Sequence, residues 1–278
     1  MRRDRRGDGG RQGRHPEPSG RRPAPRAPQG QGATFRKPDR DLVVLYGLHA
    51  VREALRARKR KLLDLHATAQ AAEKIGAEAA AAGVPLHVVA AEDLDRRLGR
   101  EAVHQGVMLE ARAPAALDLG DIVEDSGIVL VLDQITDPHN VGAILRTAAA
   151  FAVDALVLTD RHAPDFSGVL AKAASGGLEH VPIVQVVNLA RAMEELGEMG
   201  YQRVGLDSDG AASLEDTALQ KPLALVLGAE GAGLRRLTRE NCDVMARLDM
   251  PGAVKSLNVS NACAVALSVA RAKLRAAS

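Results

Sequence analysis

Hydrophobic and polar positions follow two alternating patterns along most of the chain. Short apolar runs, typical of buried strands, are followed by stretches with apolar residues every third or fourth position, typical of amphipathic helices. From residue 41 to 113 this pattern predicts three helices, in LHAVREALRAR, AQAAEKIGAEAAAAG and AEDLDRRLG. It predicts four strands, in LVVLYG, KLLDLHAT, PLHVVA and HQGVMLEAR. Together these segments predict a small α/β domain.

A second series of strands and helices begins at about Ile128. The predicted strands are IVLVLD, ALVLTD, VPIVQVV, YQRVGLD, PLALVLG and DVMARLDM. The predicted helices are NVGAILRTAAAF, SGVLAKAAS, NLARAMEELGEMG and a last helix from about Asn258 to Ala276. Asn188 is the expected cap of the third of these helices, and Gly200 is its expected end. Regular alternation of this kind predicts a mostly parallel, doubly wound sheet.

The first forty residues differ in composition from the rest of the chain. They contain 12 Lys or Arg against 4 Asp or Glu, whereas the whole chain has a formal net charge of only +2. A segment rich in Arg, Gly and Pro buries too little apolar surface to offset its ordering entropy. We therefore predict a disordered basic tail at 1–40, serving either as a nonspecific arm for nucleic acid or as a dispensable solvated extension. The predicted domains are 41–113 and 127–278, joined by a linker at 114–126.

Composition excludes several classes of function. Aromatic residues make up 2% of the chain, so contacts with RNA cannot depend on extensive base stacking. Cys242 and Cys263, the only cysteines, form no CxxC pair, so we expect buried free thiols and no metal site. No apolar run reaches the roughly 18 residues of a membrane span. The N-terminus lacks the apolar core of a secretory signal, and we expect a cytoplasmic protein without a membrane partner.

Three predicted strands end in small and polar residues, which is where ligands bind in open α/β sheets. The first is followed by DPHNVGAILRTAAAF, in which Asp137 and Pro138 form a turn and Asn140 is the expected helix cap. Arg146 projects from a helix of otherwise small and apolar residues. It is either a site residue or one half of a surface salt bridge.

The second stretch, LALVLGAEGAGL, places Gly228 directly after a strand, with Gly231 and Gly233 close behind. Glycines let a ligand approach the backbone closely. The spacing matches neither GxGxxG nor a P-loop, and Glu230 disfavours a polyphosphate by charge. Glu230 suits a cationic or hydroxyl-bearing ligand, although the stretch also fits an ordinary glycine-rich turn.

The third stretch, LDMPGAVKSLNVSNACAVAL, opens the last helix. Ser256 or Asn258 can cap that helix, but capping does not account for all the polar residues at its start. Polar side chains left over at the mouth of a sheet that already ends in a glycine loop indicate a binding site.

Together the three stretches resemble the signature motifs of the SPOUT superfamily of RNA methyltransferases, in its 2′-O-ribose branch, the TrmH family. NVGAILRTA is similar to its first motif, LVLGAEGAGL to its second, and MPGAVKSLNVSNA to its third. LYGLHAVREAL and AVHQGVMLEA also resemble the ends of a small N-terminal domain found in members that act on bacterial large-subunit rRNA. The resemblance covers about residues 43–275.

The resemblance implies both a fold and a reaction. The fold would be a ribosomal-protein-like RNA-binding domain followed by a SPOUT domain with a parallel sheet and a deep trefoil knot. The protein would be a homodimer with its active site at the subunit interface. It would use S-adenosylmethionine to methylate the ribose 2′-oxygen of a guanosine in 23S (large-subunit) rRNA, in the peptidyl-transferase loop.

Residue roles also come from the resemblance. The catalytic group would be Asn140, Arg146, Glu230, Ser256 and Asn258. The cofactor-binding group would be Leu227, Gly228, Leu248, Met250 and Leu257. Arg146 would act on the 2′-hydroxyl, as a base or as a charge that stabilises the developing alkoxide, and we favour the second role because arginine is normally protonated.

Two other functions stay open from the sequence. The chain could methylate the ribose of a tRNA or of another rRNA position, since several members with that activity keep the small domain. It could instead be a non-catalytic RNA-binding or assembly factor, which the basic tail would also suit. A dinucleotide-dependent dehydrogenase is disfavoured, because no GxGxxG follows any predicted strand.

Overall fold

The computed structural model describes residues 33–39, 41–114, 117–122, 127–161, 163–166 and 168–276. Ala33–Ser278 forms one compact unit. Residues 1–32 and 40 of the predicted tail, and residues 115–116 and 123–126 of the predicted linker, lie outside the described residues. No helix in the described ranges has the length and apolar character needed to cross a membrane.

The first sheet has four strands in the order β1-β4-β2-β3. Its strands are β1 (Leu42–Tyr46), β2 (Leu62–Ala67), β3 (Leu86–Val88) and β4 (Val107–Arg112). Its helices are α1 (Leu48–Ala57), α2 (Ala69–Ala82) and α3 (Ala91–Leu98). Every helix and strand predicted between 41 and 113 is present. The strand β4 is antiparallel to both of its neighbours, which the sequence pattern did not specify.

The second sheet has seven strands in the order β7-β6-β5-β10-β8-β11-β9. Its strands are β5 (Ile128–Asp133), β6 (Ala155–Thr159), β7 (Ile183–Val186), β8 (Gln202–Leu206), β9 (Ala212–Ser213), β10 (Leu223–Gly228) and β11 (Val244–Arg247). All of its pairings are parallel, so the predicted α/β fold with a mostly parallel sheet is confirmed. The central strands β5 and β10 are buried on both faces, which explains why they read as unbroken apolar runs.

Helices cover both faces of this sheet. They are α4 (Pro138–Ala150), α5 (Gly168–Ala174), α6 (Gly177–His180), α7 (Leu189–Glu198), α8 (Arg236–Glu240) and α9 (Val259–Ala276). The short elements α6, α8 and β9 were not predicted, because segments this short carry no clear periodicity. Asn188 caps α7 as expected, its side chain accepting from the backbone N–H of Arg191 at 3.3 Å.

The prediction that Asn140 caps α4 is wrong. The helix begins at Pro138, and its cap is Asp137, whose carboxylate accepts from the backbone N–H of His139 at 3.1 Å. Proline is favoured at the first helical position because its missing N–H would have no partner there. The side chain of Asn140 therefore points from the first turn of the helix and is free to bind elsewhere.

Residues 33–39 lie against the first sheet, on strands β2 and β4. The backbone N–H of Arg36 donates to both carboxylate oxygens of buried Glu110, at 3.2 and 3.3 Å. The Arg36 side chain binds Asp64 at 2.6 Å, and the ring of Phe35 packs edge-on against His66 at 4.8 Å. Contacts with the sheet thus begin before residue 41, where the sequence placed the domain boundary.

A buried ion pair joins the segment of the first sheet to that of the second. Arg60, in the loop before β2, binds Glu179 of α6 through Nε at 3.0 Å and Nη2 at 2.7 Å. The two side chains are only 1% and 3% exposed. A buried ion pair contributes little net stability, but breaking one leaves an uncompensated charge in the interior.

Replacing Glu179 with Gln should therefore destabilise the protein by about 3–5 kcal/mol, because Arg60 would stay charged and buried. Urea unfolding followed by circular dichroism measures the change. The double variant Arg60→Leu/Glu179→Leu is the control, and it should recover most of the loss because it removes both charges. A double variant as unstable as Glu179→Gln would show that the cost comes from packing rather than from charge.

Candidate functional site

The carboxyl ends of β5 and β10 lie side by side at one edge of the second sheet. The two strands run in register to their ends, with Leu227 beside Leu132 and Gly228 beside Asp133. The chain then enters α4 from β5 and the glycine-rich loop from β10. The segment that leads into α9 reaches the same place, as its hydrogen bonds show. The three stretches that the sequence analysis singled out therefore meet.

A hydrogen-bonded cluster joins these stretches. The Nδ2 group of Asn258 donates to Glu230 Oε1 at 2.7 Å and to Asn140 Oδ1 at 2.9 Å. The Nδ2 group of Asn140 lies 3.4 Å from the same Glu230 oxygen. The backbone N–H of Val259, at the start of α9, also donates to it at 3.2 Å. One carboxylate oxygen thus holds the first turns of α4 and α9.

Asn258 has two tasks in this arrangement. Its Oδ1 accepts from the backbone N–H of Ser260 at 2.9 Å, which caps α9, while its Nδ2 belongs to the cluster. Ser256 is exposed and lines the neighbouring cavity. The polar residues at the start of the last helix therefore divide between a cap and a site, and Asn258 serves both.

The glycine-rich loop folds back sharply on its own strand. A Cβ atom at Gly228 would lie 2.2 Å from the carbonyl carbon of Gly233, so this position needs glycine. Gly231 and Gly233 have φ angles of 77° and 65°, in the left-handed region that glycine tolerates best. The buried carboxylate of Asp133 accepts from the backbone N–H of Arg235 at 2.9 Å and from its Nε at 2.6 Å, which fixes the end of the loop.

A cavity of about 410 Å³ opens beside the cluster. All five residues predicted to bind the cofactor line it: Leu227, Gly228, Leu248, Met250 and Leu257. Glu230 and Ser256 also line it, so the cluster borders the cavity through Glu230. Four of the five predicted cofactor residues are apolar side chains, and the fifth has no side chain, so the cavity suits a flat or aliphatic group.

The sequence analysis missed several other polar and charged residues of this cavity. Asp207, Ser208 and Asp209 follow β8 and line it, together with Arg239 and Lys255. Asp207 is paired with Arg239, and Lys255 donates to the carbonyl of Met250 at 2.6 Å. The segment GLDSDG was a detectable signal, because it too is a strand that ends in small and polar residues.

Arg146 lies apart from the cluster and does not line the cavity. It is exposed on α4, and among the described residues its side chain has no hydrogen-bond or ion-pair partner. The surface salt bridge considered as an alternative is therefore absent from the described part of the chain. The guanidinium stays free to meet a group from outside this chain.

The two cysteines are poor candidates for chemistry. Burial raises the pKa of Cys242 to about 12 and that of Cys263 to about 12. A thiol with so high a pKa stays protonated near neutral pH, and the thiolate is the reactive form. Both cysteines are therefore structural in character. Both are free thiols as expected, but only Cys263 is fully buried, and Cys242 is partly buried.

Replacing Gly228 with Ala should cost about 3 kcal/mol or more of unfolding free energy, because its Cβ would meet backbone rather than a flexible side chain. Gly231→Ala is the matched comparison in the same loop, with open space around the new Cβ and only its positive φ to oppose it. That variant should lose about 1 kcal/mol. Urea unfolding of both variants checks the order, and equal losses would contradict the close approach at Gly228.

Comparisons with known proteins identify the family of this chain. The family model described as the SpoU rRNA Methylase family matches residues 127–268, and one described as RNA 2′-O ribose methyltransferase substrate binding matches 44–116. The 23S rRNA (guanosine-2′-O-)-methyltransferase RlmB of Bordetella pertussis is 40% identical over 232 residues, which cover 81% of this chain and 94% of that protein.

Two solved structures extend the match. The AdoMet-bound rRNA methyltransferase from Sinorhizobium meliloti aligns with a TM-score of 0.71 and 25% identity, covering 84% of this chain and 88% of that one. The SpoU methyltransferase AviRb from Streptomyces viridochromogenes, in complex with AdoMet, aligns with a TM-score of 0.69 and 26% identity, covering 82% and 88%. The resemblance stated from the three motifs is confirmed, and the chain belongs to the SpoU rRNA methylase family.

Proposed function

We propose that this chain transfers the methyl group of S-adenosylmethionine to the ribose 2′-oxygen of a guanosine in 23S rRNA, in the peptidyl-transferase loop. The observation that carries the proposal is the meeting of Asn140, Glu230 and Asn258 beside a cavity lined by all the expected cofactor residues. The substrate follows from the similarity to the Bordetella enzyme, which extends over both sheets.

The residues of the cavity fit S-adenosylmethionine. A volume of about 410 Å³ lies within the range of small-molecule sites. Leu227, Leu248 and Leu257 offer apolar contact to an adenine ring, and Gly228 lets it approach the backbone. The carboxylate of Glu230 at the rim favours a cationic ligand. When bound, the cofactor would supply an electrophilic methyl group on a positively charged sulfur.

Arg146 is the group that we assign to the ribose 2′-oxygen. As this hydroxyl loses its proton, negative charge develops on the oxygen, and a fixed guanidinium stabilises such charge strongly in a site that excludes water. Arg146 is exposed and free of partners in the described part of the chain, so its charge is not already neutralised. This observation supports a stabilising charge rather than a base, because guanidinium groups in proteins stay protonated.

The remaining polar residues would position the reacting groups. Glu230 orients the amides of Asn140 and Asn258. The amide of Asn258 is fully bonded within the protein, whereas that of Asn140 keeps one donor and one acceptor site for ribose hydroxyls. Ser256, at the wall of the cavity, can donate or accept at the same place. Holding oxygen and methyl carbon in line contributes more to such a reaction than any single proton transfer.

We further propose a homodimer whose active site lies at the subunit interface. In addition to the unpaired Arg146, several apolar side chains near the site are exposed, as expected of an interface between subunits. They are Val254, Leu257 and Val265, which are 73%, 43% and 42% exposed. We also propose a trefoil knot at the C-terminal end of the SPOUT domain, an RNA-binding role for residues 41–113 and a cytoplasmic location.

Replacing Arg146 with Ala should lower kcat about 100- to 1000-fold, the usual cost of removing one group that stabilises a developing oxyanion. Tritiated cofactor and a 23S rRNA transcript supply the assay. Arg191→Ala is the matched control, because Arg191 is another exposed arginine whose side chain has no partner in the described residues. Near-normal transfer by Arg146→Ala would remove this residue from the mechanism. Methylation of a tRNA transcript in place of the rRNA would refute the proposed substrate.

Replacing Glu230 with Ala should weaken S-adenosylhomocysteine binding about tenfold or more, because Asn140 and Asn258 would lose their shared acceptor. Glu230→Gln keeps an oxygen acceptor and should lose less. Isothermal titration calorimetry measures both affinities, with Glu240→Ala as the control, since among the described residues Glu240 pairs only with Arg236, on the surface of α8. Unchanged affinity in Glu230→Ala would show that the hydrogen-bonded cluster does not contribute to cofactor binding.

A further inference from the structure

A second cavity, of about 270 Å³, lies at the carboxyl ends of β5 and β6. Its polar lining comes from Gln134 and Thr136 after β5, and from Thr159 and Arg161 at the end of β6. The volume falls just below the range of about 300–1,000 Å³ typical of drug-sized ligands. A cavity of this size takes one planar ring rather than an extended molecule.

The order of the strands places this second cavity on one side of the hydrogen-bonded cluster of Asn140, Glu230 and Asn258. The cavity of about 410 Å³, called the cofactor cavity from here on, lies on the other side. The cofactor cavity is lined by the ends of β10 and β8, and the second cavity by the ends of β5 and β6. In the order β6-β5-β10-β8, the chain that leaves β5 forms one wall of the second cavity and then enters α4. Asn140 lies in the first turn of α4, four residues after Thr136. A ribose held at Asn140 therefore has the cofactor on one side and this cavity on the other.

Gln134 adopts a backbone conformation that its residue type disfavours. Its φ angle is 60°, in the left-handed region, and its side chain is exposed at the cavity. Glycine would take this conformation without strain, whereas a residue with a Cβ loses roughly 1–2 kcal/mol there. Strain of this kind is concentrated at functional sites, where the side chain contributes something that glycine cannot.

The polar groups match the edge of a guanine. The side-chain oxygen of Gln134 can accept a hydrogen bond from the 2-amino group on the Watson–Crick edge of guanine. Arg161 is exposed, has no side-chain partner in the described residues, and carries the fork of donors that suits guanine O6 and N7. None of the described lining residues is aromatic, so recognition would come from hydrogen bonds and guanidinium contact rather than aromatic stacking.

We propose that this cavity holds the base of the target guanosine and that Gln134 reads its Watson–Crick edge. The proposal rests on the proposed function, because it places the base of the nucleotide whose ribose meets Asn140. Gln134 would determine which nucleotide is methylated without taking part in methyl transfer. Arg161 would contribute affinity for the same base.

The test compares two enzymes on two substrates. Wild type and Gln134→Gly are assayed on a 23S rRNA fragment that carries either guanosine or inosine, which lacks the 2-amino group, at the methylated position. Wild type should lose about tenfold in kcat/KM on inosine, the usual cost of one missing base contact. Gln134→Gly should lose about tenfold on guanosine, mainly through KM, and should show little further loss on inosine.

The variant is chosen so that folding cannot explain the result. Gln134→Gly relieves the positive φ, so its thermal stability should match or exceed that of wild type, and its affinity for S-adenosylhomocysteine should not change. Ala152→Gly is the control, because Ala152 also has a positive φ, of 50°, but lies in the turn after α4, at the other end of that helix from Asn140. It should leave both substrates unaffected.

Two outcomes distinguish failure of the base-binding proposal from failure of the proposed function. Normal kinetics of Gln134→Gly on both substrates, with an active wild type, would overturn the base-binding assignment and leave the proposed function intact. A wild type that methylates neither fragment would refute the proposed function itself.

Discussion

The site depends on one oxygen atom. Glu230 Oε1 lies within 3.4 Å of three N–H donors that come from two helices distant in the sequence, α4 and α9. A carboxylate oxygen that accepts several hydrogen bonds is more strongly held than a neutral acceptor would be. Glu230 itself lies in a glycine-rich loop that cannot hold a side chain in place by packing. The hydrogen bonds therefore fix the loop, and the loop in turn shapes one wall of the cofactor cavity.

The glycine-rich loop is held by Asp133 as well as by the hydrogen bonds to Glu230. Asp133, at the end of β5, is fully buried and binds Arg235 beyond the last glycine of the loop. Gly228 and Gly233 approach each other so closely that no side chain fits between them. A backbone surface held at both ends, without side chains over it, is what a flat ligand needs. The hydrogen bonds of Glu230 hold the amides of Asn140 and Asn258 beside that surface.

Local patterns in the sequence were sufficient for most of the fold. Apolar runs located the buried strands β5 and β10, and Asn188 marked the start of α7, because these signals depend on neighbouring residues alone. The cap of α4 was misplaced by three residues, since Asp, Pro and Asn all suit the first turn of a helix. The glycine loop and the polar start of α9 were predicted to be site elements because each breaks the pattern of a buried strand or helix.

Long-range pairs could not be predicted in the same way. Arg60 and Glu179 lie 119 residues apart, and Arg36 meets Glu110 across 74 residues. Nothing in the nearby sequence shows that Arg60, Glu179 and Glu110 will be buried, because charged residues are usually exposed. Asp207 and Arg239, which line the cofactor cavity, are a similar case. Asp207 follows β8, and only the pairing of β8 with β10 brings the end of β8 to the site.

The position of Arg146 indicates whether this residue acts as a base or as a stabilising charge. It shares α4 with Asn140, yet no described side chain accepts from its guanidinium, and it does not border the cofactor cavity. A base would have to lose its proton, whereas guanidinium groups in proteins stay protonated. A stabilising charge needs only to reach the developing alkoxide. The environment of Arg146 therefore favours electrostatic stabilisation, completed when RNA or the second subunit of the proposed dimer encloses the helix and excludes water.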